Sequence, residues 1–576
     1  MSVGGGAFKE ASLLTGRTVA ERWRIARQAA RFKARRARWV LGEPMRRISF
    51  FRARGPQRLV IAPQDIRTSD PTVADDIYAG YFAFGSRIVD TRGSSPFAIV
   101  PPNGDWEAGL LGFSWLRHLR ASQTDLAREN ARALFREFLA LHGKPRDTNA
   151  WRADIAARRT MSLVSQSPLL LESADSDFYR LFIRNLGKHI TFLKAELRSG
   201  SPGEGRLFAA IALAQATLCT DGYTSLRKRA ARWLDEELKR QILADGGHIG
   251  RNPRTLVELL LDLLPLRQAF AARNITPPAE ITGAIDRMMP MVRLFRHPDA
   301  SLALFNGMGV TEPDVLATVL AYDDARAQAI FNAPHSGYQR LEGDGLVLIM
   351  DAGGAPPPDF SGDAHAGALS FELSAAGHRL VVNCGAPGQR GAVHEAARTT
   401  AAHSTLTLGE QSSALVPHET GRTGWRDNHI IIGPSPIRAQ RLDDEEACSV
   451  EATHDGYAAP FGFLHTRRVL VYAQGSRVEG MDSLAPSGRG RRTDVEYTIR
   501  FHLHPGVRAG RIENGLGALL VTPGGEQWTF HAGGALIDIE ESAFFAVPDR
   551  ARTTHQLVIR GSAVSEPNVT WAFIRG

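Results

Sequence analysis

The sequence predicts an α+β multidomain protein in which a long helical region precedes an antiparallel β-sandwich. From about residue 105 to 332, apolar residues recur with the period of a helix. From about residue 335 onward they alternate within short β-rich segments that end in glycine turns. The chain has 576 residues, too many for one hydrophobic core. We therefore divide it into residues 1–104, 105–334 and 335–576.

Residues 1–104 combine a basic arm with a mixed extension. Between Arg17 and Arg58 lie fourteen Lys or Arg residues and only two acidic ones, whereas the whole chain has a net charge of +8. A helix of this kind can be solvated and packed loosely on the first domain, or it can contact an anionic membrane surface. No recognised nucleic-acid module accompanies the charge, so we expect no nucleic-acid partner.

Residues 105–334 contain successive segments with one apolar stripe each and short polar or Gly/Pro breaks between them. Helices in such a series form a bundle, a solenoid or a toroid of hairpins. The six clearest segments are 151–171, 177–197, 206–218, 225–243, 255–270 and 281–295.

Residues 335–576 contain ten short segments rich in β-branched and aromatic residues. Segments of this length, bounded by glycine, predict an antiparallel sandwich. They are LVLIMDAG, ALSFELSAAG, HRLVVNCG, STLTLGE, HIIIG, RRVLVYAQG, VEYTIRFHLHPG, ALLVTPGG, EQWTFHAG and HQLVIRG.

Composition excludes several classes of protein. A hydrophobic content of 43% and a charged content of 23% exclude a largely disordered chain. No apolar run reaches the roughly 18 residues of a membrane span. The three cysteines lie too far apart for a CxxC metal site. No signal peptide is visible, so we expect a cytoplasmic protein, with association at the inner membrane face as a further option.

Three segments of the sandwich region carry a resemblance to a known family. Residues 336–354, 362–385 and 397–414 resemble conserved segments of the heparinase II/III-like polysaccharide lyases, and 111–120 and 245–253 are similar to helical segments of that family. The resemblance implies an incomplete (α/α) toroid followed by the sandwich. It also implies cleavage of an anionic, uronate-containing polysaccharide by β-elimination. Relatives that act on external polysaccharides are exported, which makes a periplasmic location the alternative.

The chain departs from the family pattern at residues that matter for catalysis. Thr255 stands where the resemblance implies a tyrosine, and Asp363 stands where it implies a catalytic histidine. Asn383 replaces an aspartate that binds zinc in some members, whereas His403 matches a zinc-binding histidine. Either the site has been rebuilt or the scaffold no longer catalyses.

For a rebuilt site, the candidate acid/base residues are His248, Asp363 and His365. Asp363 and His365 are two positions apart on a predicted strand and would share one face. With His403 on a neighbouring strand they would be the ligands of a zinc site. In the simpler interpretation, Asp363 caps a turn and both histidines hydrogen-bond to buried backbone.

The loop before residue 255 supplies the candidate substrate-binding residues Arg251, Asn252 and Arg254. Arginines at a helix N-terminus suit a sugar carboxylate or sulfate. Asn252 and Pro253 are also explained as the N-cap and first residue of a helix.

The leading hypothesis is a lyase-like protein that holds an anionic glycan between its two halves. The alternative is a non-catalytic glycan- or envelope-associated binding protein on the same scaffold. A third hypothesis, a toroid hydrolase, needs two facing carboxylates, and Glu204 and Asp363 are the candidates.

Overall fold

A computed structural model describes residues 52–576, together with scattered positions between Trp23 and Phe50. It omits residues 86, 146–148, 200–201, 324–326, 389–390, 417–428, 431, 489–491, 493 and 549. Most of the basic arm therefore lies outside the described residues, as do its predicted contacts. Within the described part of the chain, no helix is both long enough and apolar enough to cross a membrane.

Residues 104–321 are predominantly helical, as the sequence predicts. The helices are α1 (Thr72–Tyr78), α2 (Gly104–Leu111), α3 (Leu116–Ser122), α4 (Asp125–His142), α5 (Ala153–Ser165), α6 (Ser167–Leu171), α7 (Ser176–Ser199), α8 (Glu204–Leu218), α9 (Thr224–Gln241), α10 (Pro253–Ala272), α11 (Ala279–Leu294) and α12 (Pro313–Ala321). A small hairpin of β1 (Tyr81–Phe84) and β2 (Arg87–Asp90) lies between α1 and α2.

Local sequence signals set several helix ends. The Thr124 hydroxyl accepts a hydrogen bond from the Ala127 amide, so it caps α4, and Asn103 caps α2 in the same way. The predicted helix over 151–171 is broken at Gln166 into α5 and α6. Pro168 explains the break, because a proline has no N–H to continue the hydrogen bonds of α5.

The last part of the chain is all-antiparallel sheet apart from short helical turns. Its strands are β3 (Asn332–Ala333), β4 (Tyr338–Gly343), β5 (Leu346–Asp351), β6 (Phe371–Ala375), β7 (His378–Val382), β8 (Leu406–Leu408), β9 (Gln440–Asp443), β10 (Ala447–His454), β11 (Phe463–Tyr472), β12 (Arg477–Pro486), β13 (Glu496–Leu503), β14 (Arg508–Ile512), β15 (Gly517–Val521), β16 (Gln527–His531), β17 (Ile537–Phe544), β18 (Arg552–Ser562) and β19 (Asn568–Arg575). The helical turns are α13 (Ala392–Ala397) and α14 (Ala458–Phe461).

These strands form two large sheets. One has the order β14-β15-β16-β19-β12-β11-β10-β9, and the other β17-β18-β13-β7-β6-β5-β4-β3, with β8 added beside β13. A shared apolar core packs between them, including Phe371, Phe501 and Trp571. The predicted fold class, a helical toroid-like part followed by an antiparallel sandwich, is confirmed.

One strand prediction is wrong in detail. Among the described residues of HIIIG (429–433), Ile432 forms an isolated bridge with Leu415 and the others form no strand. Near the start of the described chain, Leu59 forms a similar isolated bridge with Thr220, just after α8. β-propensity alone cannot make a strand where no neighbouring strand offers a continuous row of hydrogen-bonding groups.

The two halves share an apolar junction. Tyr338, Val347, Ile349, Val382 and Phe544 belong to the sandwich, yet they are buried in the core cluster of the helical region. Polar groups also cross the junction. His297, after α11, lies 3.0 Å from the Glu372 carboxylate on β6, and both side chains are fully buried. The sandwich is thus fixed against the helices beside the candidate site.

Candidate functional site

His248 is held inside the loop between α9 and α10. Its Nδ1 accepts a hydrogen bond from the Gly250 amide at 3.1 Å, and its Nε2–H donates to Gln241 at 3.2 Å. Burial lowers the pKa of His248 to about 3, so the ring is neutral at physiological pH. Glu204 lies 3.8 Å from Nδ1. Both ring nitrogens of this predicted base are therefore engaged in internal bonds.

Arg251 reaches across the junction into the sandwich. Its guanidinium donates to the carbonyls of Ser336 at 2.7 Å and Gly354 at 2.8 Å, and it forms an ion pair with Asp351. Burial acts to lower the pKa of Arg251, but the Asp351 carboxylate outweighs burial and the pKa is raised. The ring of Tyr338 lies 4.7 Å below the guanidinium carbon. The structure thus places this predicted substrate residue in the domain junction, with its donors satisfied by the protein.

Asn306 and Tyr338 form the centre of the same network and were not predicted as functional. The Asn306 amide donates to Tyr338 Oη at 2.7 Å and to Asp351 at 3.1 Å, and Tyr338 Oη donates to the Arg251 carbonyl at 2.6 Å. Asn306 Oδ1 accepts the backbone N–H of His365 at 3.1 Å. The available sequence signal is the FNGMG segment, in which two glycines follow a polar residue of positive φ. One asparagine therefore connects the helical half to the loop that carries His365.

His365 and His403 are paired directly. His403 Nδ1–H donates to the Thr399 carbonyl at 2.7 Å, so its Nε2 accepts from His365 Nδ1–H at 3.1 Å. That assignment leaves His365 Nε2 unprotonated, and it has no hydrogen-bond partner among the described residues. Burial is the main cause that lowers the pKa of both rings, that of His403 to about 4. In the interpretation without a metal, both histidine rings were expected to hydrogen-bond to buried backbone. Of the two, only the His403 ring does so.

The strand predicted around Asp363 and His365 is wrong. Residues 361–370 form bends and turns instead of a strand, so spacing by two does not place these side chains on one face. The Asp363 backbone lies next to Gly307. A Cβ added at Gly307 would be 2.7 Å from the Asp363 carbonyl oxygen and 3.1 Å from Asn252 Nδ2. Asp363 therefore packs beside the start of α10, whereas His365 faces His403.

The residues present do not fit the zinc site that the family resemblance implies. Within the described ranges, no group of three or more His, Cys, Asp or Glu side chains is arranged to hold a metal. Asn383, at the position of the zinc aspartate, is a neutral amide, and its Oδ1 accepts the Ser404 N–H at 3.0 Å. Two histidines and an occupied amide oxygen fall short of the three anionic or imidazole ligands that a zinc site uses. Asp363, His365 and His403 are therefore not brought together as a ligand set.

Asn252 and Arg254 differ in what they can offer a ligand. The Asn252 side chain accepts the Arg254 N–H at 2.9 Å and caps α10, with Pro253 as the first helical residue. Arg254 is exposed, and an added Cβ at Gly309 would be 3.2 Å from its guanidinium. Of the predicted substrate residues, Arg254 is the one whose side chain faces solvent near the junction.

No hydrogen bond or ring contact among the described residues joins His248 to His365. His248 faces Phe360, with ring centroids 6.4 Å apart, whereas His365 faces His403 at 5.1 Å. The sandwich segment 358–365 runs along the loop that carries His248 and the start of α10. Its Phe360 ring faces His248, and its Asp363 lies near Asn252 beside Gly307. The predicted residues thus lie along one junction but do not form one acid/base set.

A separate cavity of about 630 Å³ lies inside the helical region. Its walls come from helices α1, α2, α3, α5, α8, α10 and α12, and from strand β1. Arg254, Glu258 and Asp262 recur four residues apart on α10, so the same helix face runs from the junction into this cavity.

Comparisons with known proteins agree with this architecture. Residues 325–572 match the family model described as Heparinase II/III-like, C-terminal. FtsZ-localized protein C of Caulobacter vibrioides is 30% identical over 534 residues, which cover 89% of this chain and 91% of that protein.

Two solved structures share the fold over most of the chain. A mutant of the heparan sulfate lyase HepC from Pedobacter heparinus aligns with a TM-score of 0.62 and 17% identity, covering 96% of this chain and 90% of that one. Heparinase III aligns with a TM-score of 0.66 and 14% identity, covering 83% and 78%.

Proposed function

Because the chain belongs to the heparinase II/III-like family, we propose that it is a glycan-binding protein built on a polysaccharide-lyase scaffold, and that it does not carry out β-elimination. The observation that carries the proposal is the internal commitment of the side chains best suited to the reaction. His248 uses both ring nitrogens within the protein, and Arg251 uses its guanidinium to join the two halves.

β-Elimination needs a base for the C5 proton, a group that neutralises the adjacent carboxylate, and an acid for the leaving oxygen. At the position of the implied tyrosine, Thr255 offers an aliphatic hydroxyl that cannot act as a base near neutral pH. A buried arginine that already pairs with Asp351 does not add a positive charge for a sugar carboxylate. The substitutions and the contacts therefore support the same conclusion.

The relative's name provides the cellular part of the proposal. FtsZ-localized protein C is similar over nearly the whole chain, so we propose that this protein also localises with FtsZ. The basic arm would add contact with an anionic membrane surface on the cytoplasmic side. A fluorescent fusion of the full chain should form a band that coincides with FtsZ, and a variant with the arm arginines changed to glutamine should lose membrane association. A diffuse signal for the unchanged protein would contradict this part.

One observation favours residual lyase activity as a second candidate. His365 Nε2 carries an unshared electron pair without a partner among the described residues, and a neutral imidazole of this kind can accept a proton. Asp363, half-buried beside α10, would then have to protonate the leaving oxygen.

An absorbance assay separates the two candidates. The purified full chain is incubated with heparan sulfate, the polymer named for the lyase HepC, and with alginate, and ultraviolet absorbance of a new C4–C5 double bond is followed. We expect no increase above that of the His365→Ala variant. An increase that this substitution abolishes would establish the lyase, whereas new reducing ends without absorbance would indicate a hydrolase.

A further inference from the structure

The cavity of the helical region has the size of a ligand site. Its volume of about 630 Å³ lies within the roughly 300–1,000 Å³ typical of sites for small ligands. Every residue that lines it falls between Gln64 and Val315, so the sandwich contributes none. It is therefore distinct from the His365–His403 pair at the sandwich.

The charged groups of this cavity carry a negative surplus. Five carboxylates and three guanidinium groups line it: Asp65, Asp105, Glu258, Asp262 and Glu312, against Arg67, Arg117 and Arg158. His118 also lines it, but burial, helped by the charge of Arg117, lowers the pKa of His118 to about 4. This histidine is neutral at pH 7 and does not offset the surplus.

Two of the three arginines of the cavity are paired with carboxylates, whereas Arg117 donates to the Thr68 carbonyl at 2.9 Å. Arg67 lies 2.7 Å from Asp262, and Arg158 lies 2.6 Å from Asp262 and 2.5 Å from Glu258. Burial acts to lower the pKa of Arg67, but Asp262 and the other carboxylates outweigh it and raise the pKa. A sulfate or carboxylate ligand at Arg67 or Arg158 would have to displace these carboxylates, and anywhere in the cavity it would meet the repulsion of the negative surplus.

The remaining lining suits an uncharged sugar. Phe84 and the partly buried Ala108 and Gly109 offer apolar surface next to the ion pairs. Sugar rings pack their C–H faces against such surface, and their hydroxyls hydrogen-bond to charged side chains without adding charge. We infer that this cavity binds an uncharged glycan segment in preference to a polyanionic one. The inference rests on the proposed glycan-binding function and specifies its ligand.

Calorimetric titration of the full chain tests the inference. The probes are a short uncharged N-acetylglucosamine oligosaccharide and a heparin oligosaccharide of equal length, each at low and high salt. We expect the uncharged probe to bind at least about tenfold more tightly, a difference of about 1.4 kcal/mol. Its affinity should be nearly independent of salt, because no charges are neutralised.

Two pairs of variants locate the binding. Ala83→Trp would fill the cavity from the β1–β2 hairpin and should abolish binding of the uncharged probe. Ile88→Trp, on the paired strand and outside the lining, should leave binding unchanged. The double variant Glu258→Gln/Glu312→Gln removes the negative surplus and should raise the affinity for heparin about tenfold. Glu129→Gln, on the exposed surface of α4, is its control.

The outcomes separate this inference from the proposed function. Tighter binding of heparin, weakened steeply by salt, would overturn the preference for uncharged glycans but leave glycan binding intact. Binding of neither probe would overturn both. Binding of the uncharged probe that Ala83→Trp does not change would place the glycan elsewhere and overturn the assignment of this cavity.

Discussion

The guanidinium of Arg251 pairs with the carboxylate of Asp351, which lies 100 residues further along the chain and in the other half of the molecule. Both side chains are buried, and Asn306 donates to the second oxygen of the same carboxylate. This contact fixes the loop before α10 against strand β5. An arginine that resembles a substrate contact in the sequence thus joins the two halves of the molecule.

Arg251→Ala should therefore destabilise the whole protein. The substitution leaves Asp351 buried without its cation and removes the hydrogen bonds to two carbonyls, so we expect a loss of about 3–5 kcal/mol in the free energy of unfolding. Urea unfolding followed by fluorescence measures it. Arg254→Ala, on the exposed start of α10, is the matched control and should change stability by less than about 0.5 kcal/mol. Equal stability of the two variants would refute the structural role of Arg251.

Tyr338→Phe tests the hydroxyl at the centre of the junction. The change keeps the ring but leaves the Arg251 carbonyl and one Asn306 N–H without this partner. We expect a loss of about 1–3 kcal/mol, the cost of unsatisfied buried groups. Thermal unfolding of both variants measures this loss against that of Tyr472→Phe, which should be much smaller because the Tyr472 hydroxyl bonds Glu479 near the surface.

Stability should fall as the pH falls below the ordinary histidine range. Burial lowers the pKa of His248 from 6.5 to about 3, so between these values the unfolded chain binds a proton that the folded protein does not. This one group contributes a slope of about 1.4 kcal/mol per pH unit there. In unfolding measurements from pH 7 to pH 4, His248→Gln should reduce the slope by that amount. His335→Gln, with an exposed side chain, serves as the control, and equal slopes in both variants would contradict the prediction.

We expect Asn383→Asp to give the chain an affinity for zinc that exceeds that of the natural protein. An aspartate at this position would supply the anionic third ligand beside the histidine pair. We expect elemental analysis to find stoichiometric zinc in Asn383→Asp and not in the unchanged protein, with a zinc-dependent rise in melting temperature only in the variant. Adding His403→Ala should abolish both effects. Stoichiometric zinc in the unchanged protein would show that two histidines and an amide suffice.

The fold could be predicted because its signals are local and periodic. The change of apolar period near residue 335 separates helices from strands, and the caps at Thr124 and Asn252 mark helix starts in the sequence itself. Strand pairing was less accessible. β17 carries polar residues along half of its length, and its pairing with β18 makes it a strand.

The contact between His365 and His403 could be expected from the sequence, whereas the position of Asp363 could not. His365 and His403 do meet, although they are 38 residues apart, and the resemblance to a known family suggested this. Sequence could not reveal that the loop of residues 361–370 would turn Asp363 toward α10, because that depends on the close approach allowed by Gly307. Nor could it reveal Asn306, whose importance comes from three partners distant in the chain.

Helix α10 links two places that were described separately. Its 20 residues begin at the cap beside Asp363 and continue along the wall that holds Glu258 and Asp262. A helix moves largely as a rigid rod, so a molecule that pushes against this wall also displaces the loop that holds the sandwich in place. Occupancy inside the toroid would thus be transmitted to the far half of the protein, which would give the proposed binding protein a way to signal what it has bound.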